Sequence, residues 1–343
     1  MFWNNRLSKN TDKDIIDLPF RMRRLRKSAA MRDLVRETHL CASDFILPLF
    51  VAQFLEEPEE ISSMAGVFRL PESHLEGVLQ SAWNDGIRGV ILFGIPEEKD
   101  EEGSDTWQEN GLMARSVKAA KKAVPDMTVI TDNCFCAHTT HGHCGVKVGD
   151  HVDNDLTLQN LQKQAVIAAE AGADMVAPSA MMDGQVLAIR EALDATGFTD
   201  VGILSYASKF ASALYGPFRN ATDCGIEGGR HGYQIDPANG RQALMEALLD
   251  EEEAADILMV KPAGYYQDII KDLRERTSLP LAAYQVSGEY SMIKTAADKG
   301  FLDEKATVLE SLTALKRAGA NIIITYYAQK ACQWLKEDSK HGR

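Results

Sequence analysis

No apolar stretch of the chain approaches the ~18 residues that a bilayer-spanning helix needs. The first ten residues place no apolar run behind a basic start, so a secretory signal is not expected. No Gly-x-Gly-x-x-Gly follows the first candidate strand and no phosphate-binding loop is visible, which counts against an open doubly wound nucleotide fold. Positive charge is in deficit. Against 50 Asp and Glu stand 37 Lys and Arg, a formal charge of −13. That balance argues against general nucleic-acid binding, and it requires a local cluster of arginine or lysine if the substrate is an anion. Cysteine is scarce as well. Six in 343 residues do not make a disulfide scaffold, so a reducing compartment, the cytoplasm, is expected. There is no internal repeat and no low-complexity tract.

The scarce cysteines are concentrated. Residues 132–144 read Asp-Asn-Cys-Phe-Cys-Ala-His-Thr-Thr-His-Gly-His-Cys, which puts Cys134, Cys136 and Cys144 within thirteen residues and His138, His141 and His143 between them. Soft thiolates bunched with imidazoles select zinc. The spacing is Cys-x-Cys-x7-Cys with no fourth cysteine nearby. Three protein ligands leave one coordination position open, which suits catalytic zinc. A disulfide and inert thiols are the competing readings of the cluster.

The composition, 45% hydrophobic and 25% charged, is that of an ordinary globular domain with ample core. Residues 1–40 are polar and basic, with Arg21, Arg23, Arg24, Arg26 and Lys27 close together. They read as an arm lying on an acidic neighbouring subunit, or as a solvated tail. From Phe45 a rhythm begins in which short apolar runs alternate with segments of helical period. The runs 45–51, 89–93, 127–132, 175–178, 201–206, 257–261, 281–286 and 322–326 read as strands buried on both faces. Segments 71–84, 111–123, 158–171 and 241–255 read as helices. In the last, Asn239 is the expected cap, and Leu244, Met245, Leu248 and Leu249 share a face. Gly172 and Gly319, each inside Ala-Gly-Ala, mark helix-to-strand turns. Eight such units predict a (β/α)8 TIM barrel over 41–343 with an extended N-terminal arm. The glycine-rich segment 216–240 reads as an irregular, mobile lid over the active site.

In such barrels the chemistry gathers where strands end. Lys261 terminates Ile-Leu-Met-Val, so its amine is expected at the barrel mouth on a dry stem. A desolvated lysine loses proton affinity and becomes a nucleophile toward ketones. A lysine reaching out to solvent is the alternative. If Lys209 also points inward, each ammonium disfavours the other. Arg219 and Arg230 lie in the lid segment, where a guanidinium fork could grip a carboxylate or simply face water. Two amine candidates, two carboxylate grips and a thiolate zinc with an open position together suggest condensation of keto acids with loss of water.

The residues resemble the porphobilinogen synthase (5-aminolaevulinate dehydratase) family in its zinc-dependent form. Segment 132–145 is similar to that family's metal segment. Ser-Tyr-Ala-Ser-Lys-Phe-Ala-Ser-Ala-Leu-Tyr-Gly-Pro-Phe-Arg at 205–219 is similar to its first lysine segment, and Met-Val-Lys-Pro-Ala at 259–263 to its Schiff-base segment. Segments 177–184, 284–289 and 322–327 resemble further family motifs, and the likeness runs from about 21 to 337. The resemblance implies a barrel with an N-terminal arm, assembled as a homo-octamer. It implies the joining of two 5-aminolaevulinate molecules into porphobilinogen with loss of two waters, an early step of tetrapyrrole and haem synthesis. Carried over by position, Lys261 would form the Schiff base with the first substrate and Lys209 would bind the second. Asp132 would assist proton transfer, and Cys134, Cys136 and Cys144 would hold zinc near the second substrate. Arg219 and Arg230 would take the second substrate's carboxylate, Ser287 and Tyr326 the first's, and Ser179 would line the site. Glu246 matches the position of a regulatory magnesium ligand. The three histidines become structural supports. Cys224 has no role in the family pattern, and Cys41 and Cys332 read as core.

Two rival readings stay open on the sequence. A class I aldolase would use one such lysine and leave the zinc without a task. A zinc-stabilised scaffold would catalyse nothing.

Overall fold

The structure is a computed structural model and describes residues 20–225 and 229–340. The arm residues 1–19 and the lid residues 226–228 lie outside the described residues. The chain divides into two units between His39 and Leu40. In the first, a 3-10 turn, Met22–Arg26, precedes a short helix, Ala29–Leu34. Ser28 caps that helix by accepting from the Met31 N–H at 3.2 Å. Neither element buries a residue. Phe20, Met22, Leu25 and Leu34 are exposed beside the arginines.

The second unit is a closed barrel of eight parallel strands. They are β1 (Phe45–Ala52), β2 (Gly89–Ile95), β3 (Thr128–Asn133), β4 (Met175–Pro178), β5 (Gly202–Lys209), β6 (Ile257–Lys261), β7 (Leu281–Gln285) and β8 (Ile322–Thr325). Each pairs with its sequence neighbour, and β1 closes the ring on β8 through Phe45↔Ile323 and Ile46↔Ile324. The eight expected strands are all present. β1, β2 and β7 are buried at every position, as expected of strands with side chains on one face and helices on the other. The turn glycines behave as read: Gly172 and Gly319 adopt φ of 100° and 130°, a conformation that L-residues rarely take. A small hairpin, Lys147–Val148 with His151–Val152, follows the cysteine segment.

Several local expectations fail. The helix expected over 158–171 runs Asn154–Glu170, because Asp153 caps it by accepting from Leu156 N–H at 2.9 Å. The helix Gly240–Glu252 buries Ala243 and Ala247, not the leucine face. Met245 is 66% and Leu249 49% exposed. The small alanines bring the helix close to β5, where the Ser208 hydroxyl donates to the Ala243 carbonyl at 2.8 Å. Asn239 occupies the cap position, but its side chain makes no capping bond and instead donates to Gln242 Oε1 at 3.4 Å. The segment read as an irregular lid opens with a helix, Gly216–Thr222, started by Pro217. Cys41 is exposed, outside the barrel at the approach to β1, whereas Cys332 is buried as read.

Candidate active site

The two lysines come together because of one irregularity in the sheet. β5 pairs with β6 as Ser205↔Leu258, but then as Ser208↔Val260 and Lys209↔Lys261, so β5 holds one extra residue between these pairings. After that slip the last residues of the two strands sit directly opposite, and side chains opposite one another share a face. Lys209 is thus the last residue of its strand and faces inward with Lys261. Both lysines are buried.

Lys261 Nζ stands in an aromatic box, 4.2 Å from the Tyr284 ring centroid, 4.8 Å from Tyr206, 5.3 Å from Phe218 and 5.6 Å from Tyr215. Burial first, and the neighbouring Lys209 second, push its pKa down to about 7, against the pull of Asp132. A large share of this amine is therefore unprotonated near neutrality. Lys209 Nζ donates a short hydrogen bond to the Ser179 carbonyl and lies 5.3 Å from the Tyr206 ring. Asp132, near the end of β3, is pushed up by burial although both lysines oppose that shift. Its Oδ1 is buried without a hydrogen-bond partner.

The three thiols of Cys134, Cys136 and Cys144 are buried and lie within 4.8 Å of one another. Among the described residues no other group of three or more ligand-type side chains lies so close. Thiols donating from Cys134, Cys144 and Cys224, with Arg230 close by, hold Cys136 well below the usual thiol range, whereas Cys134 is pushed up by its neighbours. An all-sulfur, dry donor set of this size fits zinc.

The histidines brace the loop. His138 Nδ1 stands 3.6 Å from Asp105, and His141 Nε2 pairs with the Glu101 carbonyl at 3.0 Å. His143 Nδ1 pairs with the Tyr233 hydroxyl at 3.2 Å. Gly142 sits at φ 70°, and a Cβ there would fall 2.1 Å from the Gly225 carbonyl oxygen. Segment 224–225 therefore lies directly on the thiol loop.

One narrow cavity of ≈10 Å³ is lined by Asp132, Cys134, Cys136, Ser179, Lys209, Arg230 and Lys261 together with Phe93, Tyr215 and Phe218. Seven of the expected residues meet there. Arg230 is buried, and its Nη2 donates to the Gly142 carbonyl at 3.1 Å and to Cys224 Sγ at 3.3 Å. Burial works against its charge, but the surrounding thiols outweigh burial and its pKa goes up. Arg219, Ser287 and Tyr326 do not line this cavity. Arg219 Nε is buried and unpartnered. Ser287 Oγ accepts from Phe218 N–H at 3.0 Å, and the Tyr326 and Tyr284 hydroxyls stand 3.3 Å apart. Both therefore touch members of the aromatic box. Glu246 lies elsewhere, in an acidic cavity of ≈600 Å³ that it shares with Asp183, Asp236, Asp250 and Glu253. Burial, with Asp183 in support, pushes its carboxyl up.

Sequence reading missed the aromatic box. Its signal was present: Tyr206 and Tyr284 stand on β5 and β7, inside segments that had been singled out for other residues.

The sequence model of the family described as delta-aminolevulinic acid dehydratase matches residues 19–334. The chain belongs to the delta-aminolevulinic acid dehydratase family. It is 55% identical over 312 residues to the Escherichia coli (strain K12) delta-aminolevulinic acid dehydratase, covering 91% of this chain and 96% of that one. It is 49% identical over 317 residues to the Archaeoglobus fulgidus protein of the same name, covering 92% and 98%. Among solved structures, the Toxoplasma gondii ME49 delta-aminolevulinic acid dehydratase (porphobilinogen synthase), in complex with the reaction product porphobilinogen, superposes with a TM-score of 0.93 at 44% identity. That match covers 95% of this chain and 94% of the other.

Proposed function

We propose that this chain is a porphobilinogen synthase, joining two molecules of 5-aminolaevulinate with formation of one carbon–carbon and one carbon–nitrogen bond and loss of two waters. One observation carries the reading: Lys209 and Lys261 face each other across a strand bulge, in a dry cavity that also holds two of three clustered thiols. Lys261, with its pKa near 7, adds as a free amine to the ketone of the first substrate and forms an imine as water leaves. The aromatic box keeps solvent from that imine. Lys209, held by the Ser179 carbonyl, gives or takes a proton at the second substrate. Asp132, pushed up by burial, carries a proton between them. Arg230, with Arg219, takes the second carboxylate, while Ser287 and Tyr326 take the first; the Ser287 hydroxyl must give up its donation to the Leu214 carbonyl for that to happen. The ≈10 Å³ of free space is too small for a substrate molecule, and Phe218 and Arg230 line it, so the segment 216–240 acts as a lid that moves to admit substrate.

Cys134, Cys136 and Cys144 would hold zinc. Zinc bound there would supply a Lewis acid beside the second substrate. Magnesium at Glu246 and a homo-octamer built through the N-terminal unit complete the reading. The acidic cavity and the exposed Phe20, Met22 and Leu25 support them. Six unpaired cysteines suit the cytoplasm.

The test is borohydride reduction with 5-aminolaevulinate, followed by peptide mass spectrometry and metal analysis of the same sample. A substrate adduct on Lys261 together with about one zinc per site-bearing chain is expected. No adduct with intact metal content would reject the reading in favour of a scaffold.

A further inference from the structure

We propose that Cys224 is a fourth thiolate ligand for the metal held by Cys134, Cys136 and Cys144, closing its coordination sphere until substrate displaces it. The proposal rests on the zinc reading above. Cys224 Sγ is buried and donates to the carbonyl of Gly142, in the loop between Cys136 and Cys144, at 3.3 Å. Arg230 Nη2 bridges the same two atoms at 3.3 and 3.1 Å. The packing leaves little slack: a Cβ at Gly142 would stand 3.1 Å from Cys224 Sγ. This is a fourth thiol beside a three-thiol cradle; its sulfur rests on a main-chain carbonyl outside the group that lies within 4.8 Å of one another, so ligation needs it to swing inward. Cys224 follows the left-handed Asp223, which ends helix Gly216–Thr222. The thiol is thus carried by the segment that must move to admit substrate.

Ligation breaks the Cys224 S–H bond, makes a sulfur–metal bond and releases the proton to solvent. Displacement by substrate reverses this: the thiolate takes up a proton and the thiol returns to the Gly142 carbonyl. In that arrangement Arg230 Nη2 bridges Cys224 Sγ and the Gly142 carbonyl. A closed four-thiolate sphere also guards the metal when no substrate is bound, since three thiolates and an open position release it more readily.

X-ray absorption at zinc counts the sulfurs directly. The parent protein is expected to show four without substrate and three with saturating 5-aminolaevulinate. Cys224→Ser, which keeps the hydrogen bond to Gly142, is expected to show three in both states. In chelator competition the same variant is expected to lose about ten- to a hundredfold in zinc affinity, since a direct ligand matters no less than a supporting partner. Cys224→Ala serves as the second variant. Three sulfurs in the substrate-free parent, or unchanged zinc affinity in both variants, would overturn the proposal and leave the zinc reading intact. Zinc bound equally well after Cys134→Ala would instead overturn the zinc reading, and this proposal with it.

Discussion

Replacing Lys209 with methionine removes a buried positive charge while keeping the length of the side chain. The two lysine nitrogens sit 5.3 and 4.8 Å from the centroid of the same Tyr206 ring, so they are at most about 10 Å apart. At that limit and an effective dielectric constant of ~20, two unit charges repel by about 1.7 kcal/mol, somewhat over one pKa unit. The parent Lys261, at about 7, has roughly half its amine free at pH 7. Lys209→Met should move its titration up by about one unit or more, leaving roughly a tenth free, so imine formation at pH 7 slows about fivefold. The sign is fixed: the loss appears below pH 8 and disappears at higher pH, where both proteins hold a neutral amine. The assay is the initial rate of borohydride trapping of a single 5-aminolaevulinate, measured from pH 6 to pH 10. It reports the first imine and not turnover, which Lys209 affects in other ways. An unchanged midpoint would refute the coupling and make burial alone responsible for Lys261.

Lys261→Met should stabilise the fold. Moving an amine from 10.5 to about 7 costs about 4–5 kcal/mol of folding free energy. Between these values the unfolded chain binds more protons, so this cost is full below pH 7 and fades as pH rises through 10.5. Urea unfolding at pH 7 should show the variant about 3–5 kcal/mol more stable, less any lost packing; a variant no more stable than the parent refutes it. Glu289→Gln should destabilise by about 1–3 kcal/mol, because the carboxylate accepts from Gly264 and Val286 N–H at 2.7 Å each and one amide oxygen cannot serve both as well. Burial pushes Glu289 up to about 7, so its contribution is fullest below pH 4.5 and is lost as pH rises through 7; a flat pH dependence of the Glu289→Gln difference would contradict this. Glu246→Ala should abolish any effect of magnesium on oligomer size in light scattering and leave imine trapping unchanged. A persistent magnesium response would place that ion elsewhere.

What could be read from the sequence is what depends on spacing along the chain. Strand ends carry the chemistry, so Asp132, Lys209 and Lys261 could be found by asking where apolar runs stop. The three cysteines lie within one short loop and needed no fold at all. The misreadings are of another kind. Leu244 and Met245 share a helical stripe that period alone assigns to the core, yet Ala243 and Ala247 face β5 because the close approach there admits only small side chains. Out of reach rather than misread was the thiol contact of Arg230, since the Gly142 carbonyl and Cys224 Sγ that it bridges are joined only by folding. The bulge that sets Lys209 against Lys261 has no sequence mark, since both residues look like ordinary strand-end lysines.

The acidity of the chain and the basicity of its site are compatible because they act at different ranges. A net charge of −13 is spread over a surface of 17642 Å². At physiological salt its field is screened beyond ~8 Å. The cavity holds Lys209, Lys261 and Arg230 against Asp132 and the thiols of Cys134 and Cys136, all of them buried or nearly so. There the dielectric is low and screening weak, so a few fixed charges outweigh many exposed ones. An anionic substrate thus meets repulsion that fades within one screening length of the surface and attraction that grows inside. The same dryness drives Lys261 toward its neutral form. Recognition of a carboxylate and activation of an amine therefore come from one physical cause, the exclusion of water. A change that wets the cavity, such as Phe218→Ser, should weaken both together.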